Sequence, residues 1–312
     1  MLLAVLALLV GAGLLVLGAE WFAENVGAAA SKLGLSVFAV GLLLAGAEPE
    51  EAVTAVLASL DGHPELAAGD VVGANVVILA LTLGLAALLF PLPVDRRVKQ
   101  YAGAASVAGT LALLALLDGH VGRVEGSALG LAYTAGVVVV WRRERVPPVI
   151  GETVELLADD DRKPARSPGV GLWLAVAGIA LMVAGGWVAV RGAERLTEAL
   201  DVSDSTVGLT ILALATSAEM LALVFAAARH RVAEVAVAGM VGSAAYNATV
   251  SLGLAALARP LELTGAAITT TAAGAAALPL ALVVLTRRGH LGRPVGGLLV
   301  AAYAATLVLL LT

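Results

Sequence analysis

Gly41-Leu42-Leu43-Leu44-Ala45-Gly46-Ala47-Glu48-Pro49-Glu50-Glu51 sets three carboxylates and a proline inside an apolar run covering 34–60 that holds no Lys or Arg. A run of that length spans ~30 Å of hydrocarbon at about 1.5 Å per residue, which puts the acids near mid-depth of a bilayer. An ionised side chain there costs roughly 2.5–3.5 kcal/mol on the insertion scale, so these acids require a proton, a cation or a polar partner. Pro49 lacks an amide hydrogen, so the Ala45 carbonyl loses its helical partner and becomes a candidate ligand for a cation.

The rest of the chain agrees with a membrane setting. Of 312 residues, 60% are hydrophobic and 14% charged, and the mean hydropathy is +0.97. A water-facing surface needs about a quarter of residues charged, so soluble enzymes, nucleic-acid binders and disordered chains are excluded. Zero cysteines remove disulfides, thiolate chemistry and Cys-based metal sites. Aromatic residues make up only 4%, while Ala, Gly and Val dominate, as in helices that pack through small residues.

Ten spans are predicted: Leu2 to Gly18, then 34–60, 65–92, 101–117, 126–141, 169–191, 204–228, 232–258, 263–286 and 294–312. The first lacks a basic leader and a small-residue cleavage site before Glu20, so it is expected to be a retained helix. Fifteen of the 19 Lys and Arg fall in one set of alternate loops, including Arg96, Arg97, Lys99, Arg142 and Arg166; four, Arg123, Arg191, Arg195 and Arg259, fall in the other. By the positive-inside rule, this chain sits in the cell membrane with both termini extracellular and residues 142–168 cytoplasmic. That polar, Pro-containing stretch is expected to link a first five-helix repeat, 1–141, to a second, 169–312.

The halves resemble one another. Gly18-Ala19-Glu20 and Gly192-Ala193-Glu194 are each expected to end a first helix, and Ser36 to Gly41 answers Ser203 to Gly208. Glu50 and Glu219 each precede a glycine, Gly73 or Gly242, by 23 residues. Five spans is an odd number, so the second copy crosses the membrane inverted relative to the first. Inverted repeats are a design for alternating access, with the substrate site at mid-membrane between them.

The polar residues fall where that design puts a site. Glu48, Glu50 and Glu51 lie near the middle of the second span, and Thr216, Ser217 and Glu219 lie symmetrically near the middle of the seventh. Ser243 and Asn247, four apart, share a helix face in the eighth, and Asn75 and Asp70 are the polar candidates in the third, Asp70 being either a helix-end residue or an entry-path acid. Carboxylate, hydroxyl, amide and carbonyl oxygens suit hard cations such as Ca²⁺; soft metals prefer imidazole or thiolate, and His63, His120, His230 and His290 all fall in loops or at helix ends. Glu20, Glu24 and Glu194 are most simply solvated.

At these residues the chain resembles the sodium/calcium exchanger family of the cation/calcium antiporter superfamily, over nearly its whole length. Members carry two inverted repeats with the pattern G-L-T-I-x-A-x-G-T-S-x-P-E followed by G-N-x-x-G-S-N-x-x-[ND]. Here the second copy runs from Gly208-Leu209-Thr210-Ile211 to Thr216-Ser217-Ala218-Glu219, then Gly242-Ser243-Ala244-Ala245-Tyr246-Asn247. The resemblance implies cation-coordinating oxygens at Thr216, Ser217, Ser243 and Asn247. Glu219 stands one position early, with Met220 in the family's glutamate position. The first copy lacks the Thr-Ser pair, and Ala74 and Ile78 replace a serine and an asparagine, while Asn75 is retained. Its glutamate is Glu50 by the repeat spacing or Glu51 by an ungapped count from Gly73. A site poorer in hydroxyl and richer in carboxylate suits a divalent ion exchanged for protons.

The resulting expectation is an all-α integral membrane protein of ten transmembrane helices in two inverted five-helix repeats. It acts as a secondary antiporter moving Ca²⁺ or a similar hard cation against Na⁺ or H⁺, a proton-coupled exchanger without Na⁺ dependence being the near alternative. The implied partners are inorganic cations and the lipid bilayer, with no cofactor, no nucleic acid and no obligate protein partner. No Walker A sequence is present, so ion gradients must drive transport. A cation channel and an intramembrane aspartyl protease are more remote alternatives; the protease needs a second mid-span aspartate to pair with Asp70, and none is present.

Overall fold

The computed structural model describes residues 1–32, 48–144, 168–221, 224, 233–286 and 289–311. Its helices are α1 (Leu2–Lys32), α2 (Pro49–Asp61), α3 (Pro64–Val76, continued by Val77–Thr82 and Leu83–Leu89), α4 (Arg96–Leu116) and α5 (Arg123–Glu144). The second half holds α6 (Pro168–Leu200), α7 (Asp204–Val207, Gly208–Leu212 and Ala213–Thr216), α8 (Ala233–Tyr246, Asn247–Ser251 and Leu252–Ala258), α9 (Ala266–Leu285) and α10 (Arg293–Leu311). Among the described residues this is the all-α, ten-helix membrane architecture that the apolar runs predict.

Seven of these helices are long and apolar enough to cross a membrane among the described residues. The other three have visible reasons for falling short. The helix α4 opens on Arg96, Arg97 and Lys99, while the described parts of α2 and α7 are short and carry the acids.

The first helix of each repeat is longer than expected. Gly18 and Gly192 do not end helices: α1 runs 31 residues to Lys32 and α6 runs 33 residues to Leu200. These glycines serve packing instead. A Cβ on Gly18 would sit 2.7 Å from the Gly178 carbonyl, one on Gly11 2.7 Å from the Gly185 carbonyl, and one on Gly192 3.0 Å from the Ala4 carbonyl. Partners that descend along α6 as α1 ascends make the two helices antiparallel and nearly backbone-to-backbone. Equivalent helices running in opposite directions are what inverted repeats require.

Two short antiparallel pairs repeat the symmetry. Strand β1 (Leu92–Pro93) pairs with β4 (His290–Leu291), and β2 (His120–Val121) pairs with β3 (Leu261–Glu262). Exchanging the repeats turns β1 into β3 and β2 into β4, so each pair maps onto the other. They lie at opposite ends of α4 and tie the two halves together there. The π-helical turns correspond as well: Val77–Thr82 in α3 answers Asn247–Ser251 in α8. Such turns release the regular i−4 ladder and are frequent near functional sites.

Candidate cation site

The acids stand where described helical geometry begins or breaks. The helix α2 begins at Pro49, with Glu48 as its N-cap in a non-helical conformation (φ −100°, ψ 69°). Pro49 is therefore not inside a helix, as the sequence suggests, but at the first helical turn, where a missing amide hydrogen costs nothing. Ala45, the carbonyl it was expected to free, lies outside the described residues. In α7 the regular helix ends at Thr216, Ser217 caps it (φ −86°, ψ 7°), and residues 218–221 resume helical geometry. Glu50, Glu51 and Glu219 thus all stand in the opening turn of a helical segment, whose first amides favour negative charge.

Close crossing of α3 and α7 joins these breaks to the third helix. A Cβ on Gly73 would lie 2.6 Å from the Leu209 carbonyl, and one on Gly208 would lie 2.8 Å from the Leu66 carbonyl. Only glycine permits this approach, and it carries Asp70 up to Thr216.

Three carboxylates from the two repeats converge. Glu48, Glu50 and Glu219 each offer an oxygen within 4.8 Å of the others; Glu48 and Glu50 are 1% and 0% exposed, and Glu219 is partly buried. Ligands on opposite sides of a Ca²⁺ stand at most about 5.2 Å apart, twice the ~2.6 Å upper Ca–O distance, so the triad matches the span of one hard divalent ion. Ser243 lies beside the Glu48 carboxylate, adding α8 to the walls.

A second cluster adjoins the triad. The Ser217 hydroxyl donates to Glu51 Oε1 at 2.9 Å, and the Thr216 hydroxyl stands 3.1 Å from Asp70 Oδ1. Thr216 Oγ1 is equally 3.1 Å from the Leu212 carbonyl, so its single hydrogen serves one acceptor at a time. Glu51 Oε2, Asp70 Oδ2 and Asn75 Oδ1 are buried without a hydrogen-bond partner among the described residues. The amide of Asn75 donates to the Ala244 carbonyl at 3.1 Å, bridging α3 to α8. Asn247 Oδ1 accepts from Ser251 Oγ at 3.2 Å within its own helix, which engages the oxygen that the family resemblance assigns to a cation.

Both candidates for the first-repeat glutamate lie in the interior, with different partners: Glu50 joins the triad and Glu51 joins Ser217. Glu219 reaches the triad, and Met220 packs in the apolar core beside Val224. Asp70 is neither a helix end nor exposed; it is fully buried in the body of α3. Its sequence context held the clue, since it sits between two glycines, Gly69 and Gly73, that bring α7 within reach. Glu194 is not simply solvated, because His63 Nε2 lies 3.2 Å from its carboxylate. Sequence reasoning missed this contact, whose partners lie far apart in the chain.

Comparison with known proteins agrees with this architecture. A family profile described as "Sodium/calcium exchanger protein" matches residues 3–142 and 170–312. The chain is 30% identical to the inner membrane protein YrbG of Escherichia coli (strain K12), covering 99% of this chain and 97% of the relative. It is 28% identical to the putative antiporter CaxA of Alkalimonas amylolytica, covering 92% and 91%. A solved structure of the sodium-calcium exchanger NCX_Mj superposes with a TM-score of 0.63 at 24% identity, covering 98% of both chains, and shares the fold. With the profile spanning both repeats, the chain belongs to the sodium/calcium exchanger family.

Proposed function

We propose that this protein is a secondary antiporter that exchanges Ca²⁺, or a similar hard divalent cation, for Na⁺ or H⁺ by alternating access. The observation that carries this reading is the convergence of Glu48 and Glu50 from one repeat with Glu219 from the other, within 4.8 Å. Such carboxylates cannot remain empty and charged while sealed from water. They cross the occluded state only with a cation or protons aboard, and that requirement couples the two fluxes. Because the site is built from both inverted repeats, a shift of one against the other opens it alternately to either face.

The positive-inside distribution supports extracellular termini and a cytoplasmic linker, 142–168, between repeats 1–141 and 169–312. The name of the relative CaxA, a putative antiporter, points the same way. A second reading, H⁺ as the counter-ion, is favoured by the excess of carboxylate over hydroxyl: Glu48, Glu50, Glu51, Asp70 and Glu219 stand against Thr216, Ser217 and Ser243, and each of those acids can take up a proton.

Uptake of radiolabelled Ca²⁺ into proteoliposomes, driven in turn by outward Na⁺ and outward H⁺ gradients, tests the function. Accumulation that requires one of these gradients is expected, and the effective gradient identifies the counter-ion. Absence of uptake under both gradients, or uptake that needs no counter-ion, contradicts exchange. Metal ligands must be deprotonated, so Ca²⁺ affinity is expected to fall as pH falls.

A further inference from the structure

Away from the triad, a charged cluster gathers on the face where α2 turns into α3 and α6 into α7. His63, the N-cap residue of α3, places Nδ1 2.7 Å from Asp204 Oδ2 at the start of α7. Its Nε2 lies 3.2 Å from Glu194 Oε1 on α6. Arg191 on α6 stands 3.9 Å from both Glu194 and Asp61, the last residue of α2. Glu65 on α3 accepts from Ser205 Oγ at 3.0 Å and from the Thr264 amide at 2.9 Å, while the Arg259 guanidinium lies against Gly62. Glu194 and Asp204 face the imidazole, and Asp61, Glu65, Arg191 and Arg259 are the other charged groups of the cluster, from α2, α3, α6 and the end of α8.

The geometry constrains the proton count. A neutral imidazole carries one N–H and one lone pair, and an ionised carboxylate only accepts. Two carboxylates at hydrogen-bonding distance from the two ring nitrogens are both satisfied only when both nitrogens carry hydrogen. Loss of one proton turns one bond into an opposition of lone pairs. The bonds join α6 and α7 to the α2–α3 turn, and so join the second repeat to the first above the acids of α2 and α7.

Building on the alternating-access reading, we infer that His63 is a positioning residue which, as the imidazolium, clamps Glu194 and Asp204 and holds this mouth of the cation path shut. Deprotonation releases the clamp. Because the two hydrogen bonds need hydrogen on both ring nitrogens, closure goes with the imidazolium and opening with its loss. Transport entering or leaving through this face is therefore throttled by protons at a place separate from the carboxylates that carry the cation.

The absence of native cysteines allows paired spin labels at Leu60 and Leu200, which are 53% and 43% exposed. In the otherwise unaltered full chain, the label-to-label distance is expected to lengthen between about pH 5 and pH 8, the range in which histidine titrates. In His63→Gln the distance no longer follows pH, and in Asp204→Asn, which removes one of the two anionic partners, the shift shrinks. An equal shift in His63→Gln and the parent, an undiminished shift in Asp204→Asn, or none in the parent, overturns the clamp. Ca²⁺ flux measured on the same preparations separates the two ideas. Expected is a several-fold gain for His63→Gln over the parent at acid pH and little difference at alkaline pH. If the parent moves no Ca²⁺ at any pH, the transport reading fails while the distances still judge the clamp.

Discussion

The helical segment opening at Pro49 and the one resuming after Ser217 occupy equivalent places in the two repeats, yet they bring different chemistry. The first contributes Glu48, Glu50 and Glu51; the second contributes Thr216, Ser217 and one carboxylate, Glu219. The backbone is close to symmetric, as the paired strands and the π turns of α3 and α8 show. The charge is not. Strand pairs and π turns recur in both halves, whereas the proposed site asks only that the oxygens and charge of the two halves sum to what a hard cation takes. The repeats are therefore free to diverge in side chains while keeping the same scaffold.

The sharpest way to break the comparison is to neutralise both sides of the triad. Glu50→Gln combined with Glu219→Gln is expected to reduce Ca²⁺ exchange in proteoliposomes to the level of empty vesicles, with helical content unchanged by circular dichroism. Next in size is a structural change at the crossing that brings the halves together. Gly73→Val forces a side chain onto the Leu209 carbonyl 2.6 Å away; overpacking of this kind costs about 1–3 kcal/mol or more, visible as a lower melting temperature in detergent.

Smaller changes sharpen the division of labour within the first helical segment. Glu48→Gln removes a triad charge and is expected to weaken Ca²⁺ binding about tenfold, equivalent to about 1.4 kcal/mol. Glu51→Gln changes the partner of Ser217 instead, so calorimetric Ca²⁺ affinity changes less and the dependence of flux on the counter-ion changes more. Thr216→Ala is the mildest: it deletes one hydroxyl at Asp70, a contact of about 1 kcal/mol, and slows exchange a few-fold.

Much of this was legible in the chain. The span pattern follows from hydropathy alone, and the inversion follows from the odd number of spans with the Glu50–Gly73 and Glu219–Gly242 spacing. The acids announced themselves because an unpaired carboxylate in an apolar run has few explanations. What remained hidden depends on geometry across the repeats. No local pattern separates Glu50 from Glu51, since adjacent residues on a helix diverge by about 100° and only the position of the partner helix decides which acid faces which neighbour. By sequence Asp70 reads as either a helix-end residue or an entry-path acid, and only the glycine crossing with α7 shows it buried in the body of α3. The helices α1 and α6 continue past Gly18 and Gly192 because a helical glycine is tolerated where another backbone needs the space. His63 reads from the sequence only as a loop or helix-end residue because its two carboxylate partners lie 131 and 141 residues away.

The account stands on a single cation held between the repeats. Crystals of the protein soaked in Sr²⁺, a heavier stand-in for Ca²⁺, locate such an ion directly by anomalous scattering. A peak bounded by the carboxylates of Glu48, Glu50 and Glu219, lost in the Glu50→Gln and Glu219→Gln double variant, is the predicted result. A peak remote from those three side chains, or one that survives the double substitution, contradicts it.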